Sequence, residues 1–136
     1  METKFNFNSQ VCTSKVQSER LLALGLKKET ADMYYSYDII CAKPYFKVEE
    51  FMNGCVPEDI FPAWSLHRLI EMIPQIIGHL ELAINDAFVG YYEDRCESET
   101  GMYWEHTEES SNLYDNIIST IEWLIKEGYF NKEYLV

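Results

Sequence analysis

Two stretches of the chain repeat apolar residues with the spacing of an α-helix. Ser65–Ile73 carries apolar residues at positions i, i+3, i+4 and i+7, which is the pattern of one buried helix face. Ser111–Glu127 carries a longer stripe of the same kind, and either Ser111 or Asn112 is suited to cap its first turn. Gly128 follows this second stretch and is suited to end it. These two stretches are predicted to be the main helices of the fold.

The N-terminal part of the chain predicts only short elements. Residues 1–14 are polar with a loose alternation, which fits either a flexible tail or an edge strand. A short helix should follow, capped by Ser14 or Ser18 and ended at Gly25, because glycine tolerates the left-handed conformation at a helix C-terminus. Thr30–Met33 is expected to add one more helical turn.

Two further regions are rich in β-branched and aromatic residues and predict β-hairpins. In Tyr34–Phe51, one strand is expected over 34–40 and a second over 45–48. In His79–Tyr92, two β-rich runs are joined by an Asn85-Asp86 turn, and apolar and polar residues alternate strictly in the first run. The two hairpins are expected to share one sheet.

The order of these elements predicts an α+β fold. Segment 53–62 is rich in turn-forming residues and is expected to be a loop, while 101–106 is suited to a further strand. Hairpins separated by helices favour an antiparallel sheet with one covered face. We therefore expect a single domain over residues 1–136. Its antiparallel sheet of 4–5 strands should be covered by two main helices and a short N-terminal helix.

Composition narrows the classes of function. The chain has 136 residues, of which 47% are hydrophobic and 25% are charged, and these values exclude a disordered chain. Its net charge is −12, and its densest basic stretch is only Lys27-Lys28. Nucleic acids and anionic lipids attract basic surfaces, so neither direct nucleic-acid binding nor membrane binding is expected. The four cysteines include no C-x-x-C pair, which favours reduced thiols and a cytoplasmic location.

Four sequence motifs follow one another along the chain: Ser18–Met33, Pro62–Leu66, Gly90–Tyr92 and Glu122–Tyr129. With these motifs in this order, the chain resembles small uncharacterised proteins of gut Bacteroides-type bacteria and of their phages or mobile elements. The resemblance extends over most of Ser18–Tyr129 and implies one domain in an intracellular setting. It implies no activity, no cofactor and no site residue.

The chain carries few residues suited to catalysis. Trp104-Glu105-His106 places a carboxylate beside an imidazole, a combination that serves acid–base catalysis or metal binding. His79 and Glu81 alternate to the same face of a predicted strand and form a second such pair. The catalytic candidates for a small hydrolase or transferase are therefore Glu105, His106 and His79. The sequence has no P-loop and no G-x-S-x-G or H-E-x-x-H motif, so neither a cofactor nor a metal is expected.

Acidic and aromatic residues favour a binding function instead. Glu93–Glu109 contains seven carboxylates and one Arg, so it is predicted to be either a solvated loop or a docking site for a basic partner. In the last helix, Trp123 lies on the side away from the apolar stripe. Either residues 130–135 cover it or it belongs to a contact surface, for which Trp104 and Tyr103 are further candidates. The leading hypothesis is a non-enzymatic acidic protein that binds a basic protein partner or a second copy of itself.

Overall fold

The structure is a computed structural model, and it describes residues 9–36, 39–42, 60–95 and 101–136. These residues form three α-helices: α1 (Lys15–Ala23), α2 (Leu66–Met72) and α3 (Leu113–Glu127). They also form seven β-strands: β1 (Met33–Ser36), β2 (Ile39–Ala42), β3 (Ile60–Ala63), β4 (Ile76–Ile77), β5 (Leu80–Asn85), β6 (Phe88–Asp94) and β7 (Met102–Glu109). The predicted α+β class is confirmed.

The strands form two antiparallel sheets, so the expectation of one shared sheet is wrong. The first sheet has the order β2-β1-β3, and the second has the order β4-β5-β6-β7. Because β2 and β3 occupy both edges of β1, the first hairpin has no open edge on β1 for the second sheet. The strand that fills the second edge is β3, which lies at the end of the segment expected to be a loop.

The first hairpin has its turn in a different place from the one predicted. Ser36 of β1 pairs with Ile39 of β2, so the strand predicted over 34–40 is divided between two antiparallel strands. Ser36 ends β1, and serine favours turns more than the aromatic residues before it do. The strand predicted over 45–48 and residues 53–59 of the predicted loop lie outside the described residues.

The helix ends follow the capping signals in the sequence. Ser14 caps α1 and Asn112 caps α3, each by accepting a hydrogen bond from a backbone N–H of the first turn. Gly25, with φ of +101°, ends the α1 segment, and the N–H of the next residue closes a Schellman bond at 3.2 Å. The helical turn expected over Thr30–Met33 is shifted, because a 3-10 turn ends at Thr30 and Met33 begins β1.

Residues 9–14 are neither a free tail nor a strand. Thr13 is buried, and its backbone N–H donates to the carbonyl of Trp64 at 2.8 Å. The carbonyl of Thr13 in turn accepts a hydrogen bond from the Tyr35 hydroxyl at 2.8 Å. These bonds hold the segment before α1 against β1 and the end of β3, while residues 1–8 lie outside the described residues.

The helix α3 is the central element of the core. It contacts β6 and β7 of the second sheet and also packs against α1 and α2. Most of its predicted stripe is buried: Tyr114, Ile117, Ile118, Ile121 and Leu124. Arg20 of α1 adds polar contacts, because its guanidinium donates to Ser119 and to Glu122 at 3.0 Å each. Within the described part of the chain, no helix has the length and apolar character needed to cross a membrane.

Candidate interaction surface on the second sheet

A β-bulge in β7 decides which way its side chains face. Tyr91 of β6 pairs with His106, and the next residue, Tyr92, pairs with Trp104, so Glu105 is an extra residue on β7. Side chains alternate between the two faces of a sheet, and Tyr91 is fully buried. Cross-strand partners share a face. His106 therefore lies on the inner face with Tyr91, and Trp104 lies on the outer face with Tyr92.

Three aromatic side chains gather on the outer face of the second sheet. The ring centroid of Trp104 lies 4.9 Å from that of Phe88, edge to face, and 5.2 Å from that of Tyr92. Two of the rings reach over Gly90, because a Cβ built there would lie 2.8 Å from Phe88 Cζ and 3.0 Å from Trp104 Cζ3. Glycine at this position lets the rings approach each other. We call Phe88, Gly90, Tyr92 and Trp104 the outer aromatic face.

Sequence reasoning singled out only Trp104 from this group. The signal for the other members is the alternation along β6. Val89 and Tyr91 are apolar and fully buried, so the even-numbered residues of Phe88–Tyr92 must face the opposite side of the sheet.

The second sheet is rich in negative charge. Its four strands contain no Lys or Arg and six carboxylates: Glu81, Glu93, Asp94, Glu105, Glu108 and Glu109. The pairing register places Glu81, Asp94 and Glu109 on the outer face. The Tyr92 hydroxyl donates a hydrogen bond to Glu81 Oε2 at 3.0 Å, and this bond raises the pKa of the Tyr92 phenol. The outer aromatic face therefore has an acidic border.

The end of the β6–β7 pair at Glu93 and Tyr103 binds a cation from the chain itself. Glu93 pairs with Tyr103 across the two strands, on the face opposite to Trp104. The guanidinium carbon of Arg95 lies 3.9 Å from the Tyr103 ring centroid, and Arg95 Nε donates to Glu93 Oε2 at 3.2 Å. Tyr103 and Trp104, which were both candidates for a contact surface, thus lie on opposite faces of the sheet.

Trp123 of α3 is half-buried, and it packs against the second sheet and against Tyr129, whose ring centroid lies 5.8 Å away. Its indole stacks on the His106 ring with a centroid distance of 4.4 Å and an interplanar angle of 9°, and lies 5.7 Å from the Tyr91 ring. His106 Nε2 lies 2.9 Å from Glu108 Oε1, and both side chains are mostly buried. The Tyr91 hydroxyl donates to the carbonyl of Pro74 at 2.7 Å, and burial raises the pKa of this phenol. The sequence offered two alternatives for Trp123, cover by residues 130–135 or a place in a contact surface. Neither of them included contacts with β6 and β7.

The helical pattern placed Trp123 correctly on the side away from the apolar stripe, but it did not indicate that α3 is buried on that side as well. Asn116 and Thr120 lie on the same side of the helix as Trp123, and both are buried. Their polar groups find partners nearby: the Thr120 hydroxyl donates to the Asn116 carbonyl at 2.8 Å, and Asn116 Oδ1 accepts from the Ser110 hydroxyl at 2.6 Å. A face that is polar in the sequence is therefore a buried face in the fold.

The three catalytic candidates have three different environments. Glu105 is the exposed bulge residue of β7, whereas His106 faces inward and stacks on Trp123. His79 lies in the exposed turn between β4 and β5, so the expectation that it shares a strand face with Glu81 is wrong. Among the described residues, no group of three or more His, Cys, Asp or Glu side chains is arranged to hold a metal ion.

A surface groove of about 730 Å³ lies elsewhere on the molecule. Its lining comes from the end of α1, the 3-10 turn that follows and the C-terminal residue: Leu22, Leu26, Lys27, Lys28, Glu29 and Val136. It contains none of the three catalytic candidates, so it does not add a substrate pocket to them.

The chain matches no family model, no curated protein and no solved structure. The resemblance to proteins of Bacteroides-type bacteria and their mobile elements therefore stays a prediction.

Proposed function

We propose that this chain is a protein-interaction module that binds a basic protein partner through the outer aromatic face. The observation that carries the proposal is the cluster of Phe88, Tyr92 and Trp104 over Gly90, on the side of the sheet that faces away from the core. This side of an antiparallel sheet usually carries polar residues that face water. Aromatic residues, by contrast, are enriched where proteins bind each other.

Other exposed apolar side chains extend this cluster. Ile76, Glu81, Tyr92 and Trp104 are successive cross-strand partners, so they form one row across all four strands. Ile76 is 65% exposed and Trp104 is 38% exposed, while Met102, also on the outer face, is 42% exposed. Single exposed apolar side chains are common on protein surfaces, but a contiguous group of them marks a binding site.

Charge favours a basic partner over a second copy of the chain. The net charge is −12, and Glu81, Asp94 and Glu109 border the outer aromatic face. Two copies that met through this face would bring like charges together, which opposes association. A basic surface would instead be attracted over a distance and oriented on approach.

The alternative, a small hydrolase or transferase, has less support from the described residues. His106, its best candidate, is mostly buried and stacked on Trp123, which is the geometry of a packing contact between α3 and β7. For the interaction module we propose a cytoplasmic location, which the free thiol of Cys12 supports.

The test compares the wild-type chain with the variants Trp104→Ser and Val16→Ser. Val16 is 75% exposed on α1, outside the second sheet, so its variant controls for the loss of an exposed apolar side chain. Each immobilised chain is incubated with an extract of the source cells. Retained proteins are identified, purified and titrated against each variant, and the melting temperature of each variant is recorded.

We expect a protein of positive net charge that binds the wild type and Val16→Ser with equal affinity. Its Kd should rise at least about tenfold for Trp104→Ser, the effect of losing one central aromatic contact. A partner that binds all three chains equally would contradict the proposal, and so would the absence of any saturable partner.

A further inference from the structure

We infer that the outer aromatic face binds arginine side chains carried by an extended segment of the partner protein. The inference rests on the proposed function and names the chemistry that the partner must supply. The outer face of the β6–β7 pair carries the same kinds of group that bind a guanidinium on the inner face of these two strands.

The inner face already shows how this strand pair binds a guanidinium. Arg95 lies 3.9 Å from the ring centroid of Tyr103 and donates to Glu93 at 3.2 Å. The ring comes from β7 and the carboxylate comes from β6, and the two residues are direct cross-strand partners. One cross-strand pair of an aromatic residue and a carboxylate therefore supplies both the ring stacking and the ion pair.

The outer face repeats these components in adjacent positions. Tyr92 stands between Trp104 on β7 and Glu81 on β5, and Asp94 follows two residues later on the same face of β6. The two rings are 5.2 Å apart, and the Tyr92 hydroxyl is held by Glu81 at 3.0 Å. The four strands themselves carry no Lys or Arg to pair with these groups.

The arrangement suits arginine better than lysine. A guanidinium is planar and weakly hydrated, so it stacks on an aromatic ring while its N–H groups reach a carboxylate at the ring edge. A lysine ammonium is a compact and strongly hydrated charge, which gains less from the flat ring surface. In an extended segment, alternate side chains lie about 7 Å apart on one side, which is also the spacing of Tyr92 and Asp94 along β6.

The arginines must come from another protein, because this chain has none to offer. It contains three arginines: Arg20, Arg68 and Arg95. Arg20 donates to Ser119 and Glu122, and Arg68 donates to the carbonyl of Thr30 at 3.0 Å. Arg95 is held by the inner pair described above. All three are engaged within the fold, so a second copy of the chain would not supply the ligand.

The experiment titrates the full chain with three capped peptides of the form Ac-(X-Ser)4-NH2, in which X is arginine, lysine or citrulline. Citrulline has the shape of arginine without its charge, so it separates charge from shape. Binding is followed by the NMR signal of the Trp104 indole N–H, assigned with Trp104→Phe. The same titrations are repeated with Glu81→Gln and with the control Val16→Ser. Because Trp104→Leu has no indole at this position, its titrations are followed by the backbone N–H signal of Tyr92.

We expect the arginine peptide to bind at least about tenfold more tightly than the citrulline peptide and several-fold more tightly than the lysine peptide. Glu81→Gln keeps the shape of the side chain and should weaken the arginine peptide several-fold, whereas Val16→Ser should bind like the wild type. Glu81→Gln therefore decides the question even if Trp104→Leu does not fold.

The inference is overturned if the arginine and citrulline peptides bind equally, if neither binds, or if Glu81→Gln binds as the wild type does. Its failure is distinguishable from failure of the proposed function. A purified protein partner that still depends on Trp104 would leave the interaction module standing and remove only the arginine chemistry.

Discussion

Replacing Gly90 by alanine tests the outer aromatic face directly. The added methyl group would lie 2.8 Å from Phe88 Cζ, 3.0 Å from Trp104 Cζ3 and 3.0 Å from the backbone oxygen of His106. The two ring contacts can be relieved if the rings move apart. The His106 carbonyl belongs to the backbone of the neighbouring strand, so this contact cannot be relieved by moving a side chain. The substitution should therefore destabilise the sheet and separate the aromatic rings.

The direction in which Gly90→Ala changes the free energy of unfolding makes the test decisive. Alanine in the interior of a strand is normally more stable than glycine by roughly 0.5–1 kcal/mol, because glycine loses more backbone entropy on folding. Overpacking a filled site costs about 1–3 kcal/mol. We expect overpacking to win, with a net loss of about 1–2 kcal/mol in the free energy of unfolding. For a chain of this size that loss lowers the melting temperature by roughly 3–7 °C.

The assay is urea unfolding followed by circular dichroism, with Ala83→Gly as the control. Ala83 is the cross-strand partner of Gly90 on β5, so its variant measures the intrinsic cost of glycine in the same sheet. In a Phe88→Leu background the cost of Gly90→Ala should fall by about 0.5 kcal/mol or more, because the closest ring atom is gone. A Gly90→Ala chain as stable as the wild type, or more stable, would refute the reasoning.

Three further predictions concern other parts of the fold. Asn112→Ala removes the cap of α3 and should cost about 1 kcal/mol in urea unfolding, while Ser111→Ala beside it should change stability by less than about 0.5 kcal/mol. Burial, together with the contact to a neighbouring thiol, raises the pKa of the Tyr35 phenol to about 12 from 10.0. The neutral phenol of Tyr35 therefore stabilises the fold fully below pH 10, and this contribution is lost as the pH rises towards 12. In Tyr35→Phe, the free energy of unfolding should fall less steeply over that pH range. His106→Ala removes the ring stacked on Trp123, so the tryptophan emission should shift to longer wavelength with a loss of about 1 kcal/mol; unchanged emission would contradict the stacking.

Helix boundaries could be predicted from the sequence because a few neighbouring residues decide them. Ser65 caps α2 and Asn112 caps α3, each through a bond to a backbone N–H three residues later. Gly128 ends α3 with φ of +80°, a conformation that glycine adopts without strain. None of these bonds depends on the rest of the fold, so the local sequence is enough to predict them.

The division into two sheets could not be predicted in the same way, because it depends on β3. Segment 53–62 is rich in turn-forming residues and was expected to be a loop, yet Pro62 at its end pairs with Tyr34 of β1. Among the described strands, β3 is an edge strand in the order β2-β1-β3, and an edge strand tolerates a proline because the missing N–H can face away from the sheet. Local sequence shows neither that β3 is an edge nor which strand it will pair with.

The arrangement of the candidate site depends on the bulge residue Glu105, which no sequence pattern distinguishes from its neighbours. Trp104 and His106 are two positions apart, so strict alternation would place both on one face of β7, with a carboxylate between them in the chain. The bulge at Glu105 separates them instead, because Trp104 pairs with Tyr92 on the outer face and His106 stacks on Trp123 within the core side. The triplet that suggested catalysis is thus divided into a ring that packs α3 and a ring that faces outward. This division adds Trp104 to the outer aromatic face and turns the imidazole of His106 towards α3, where it stacks on Trp123.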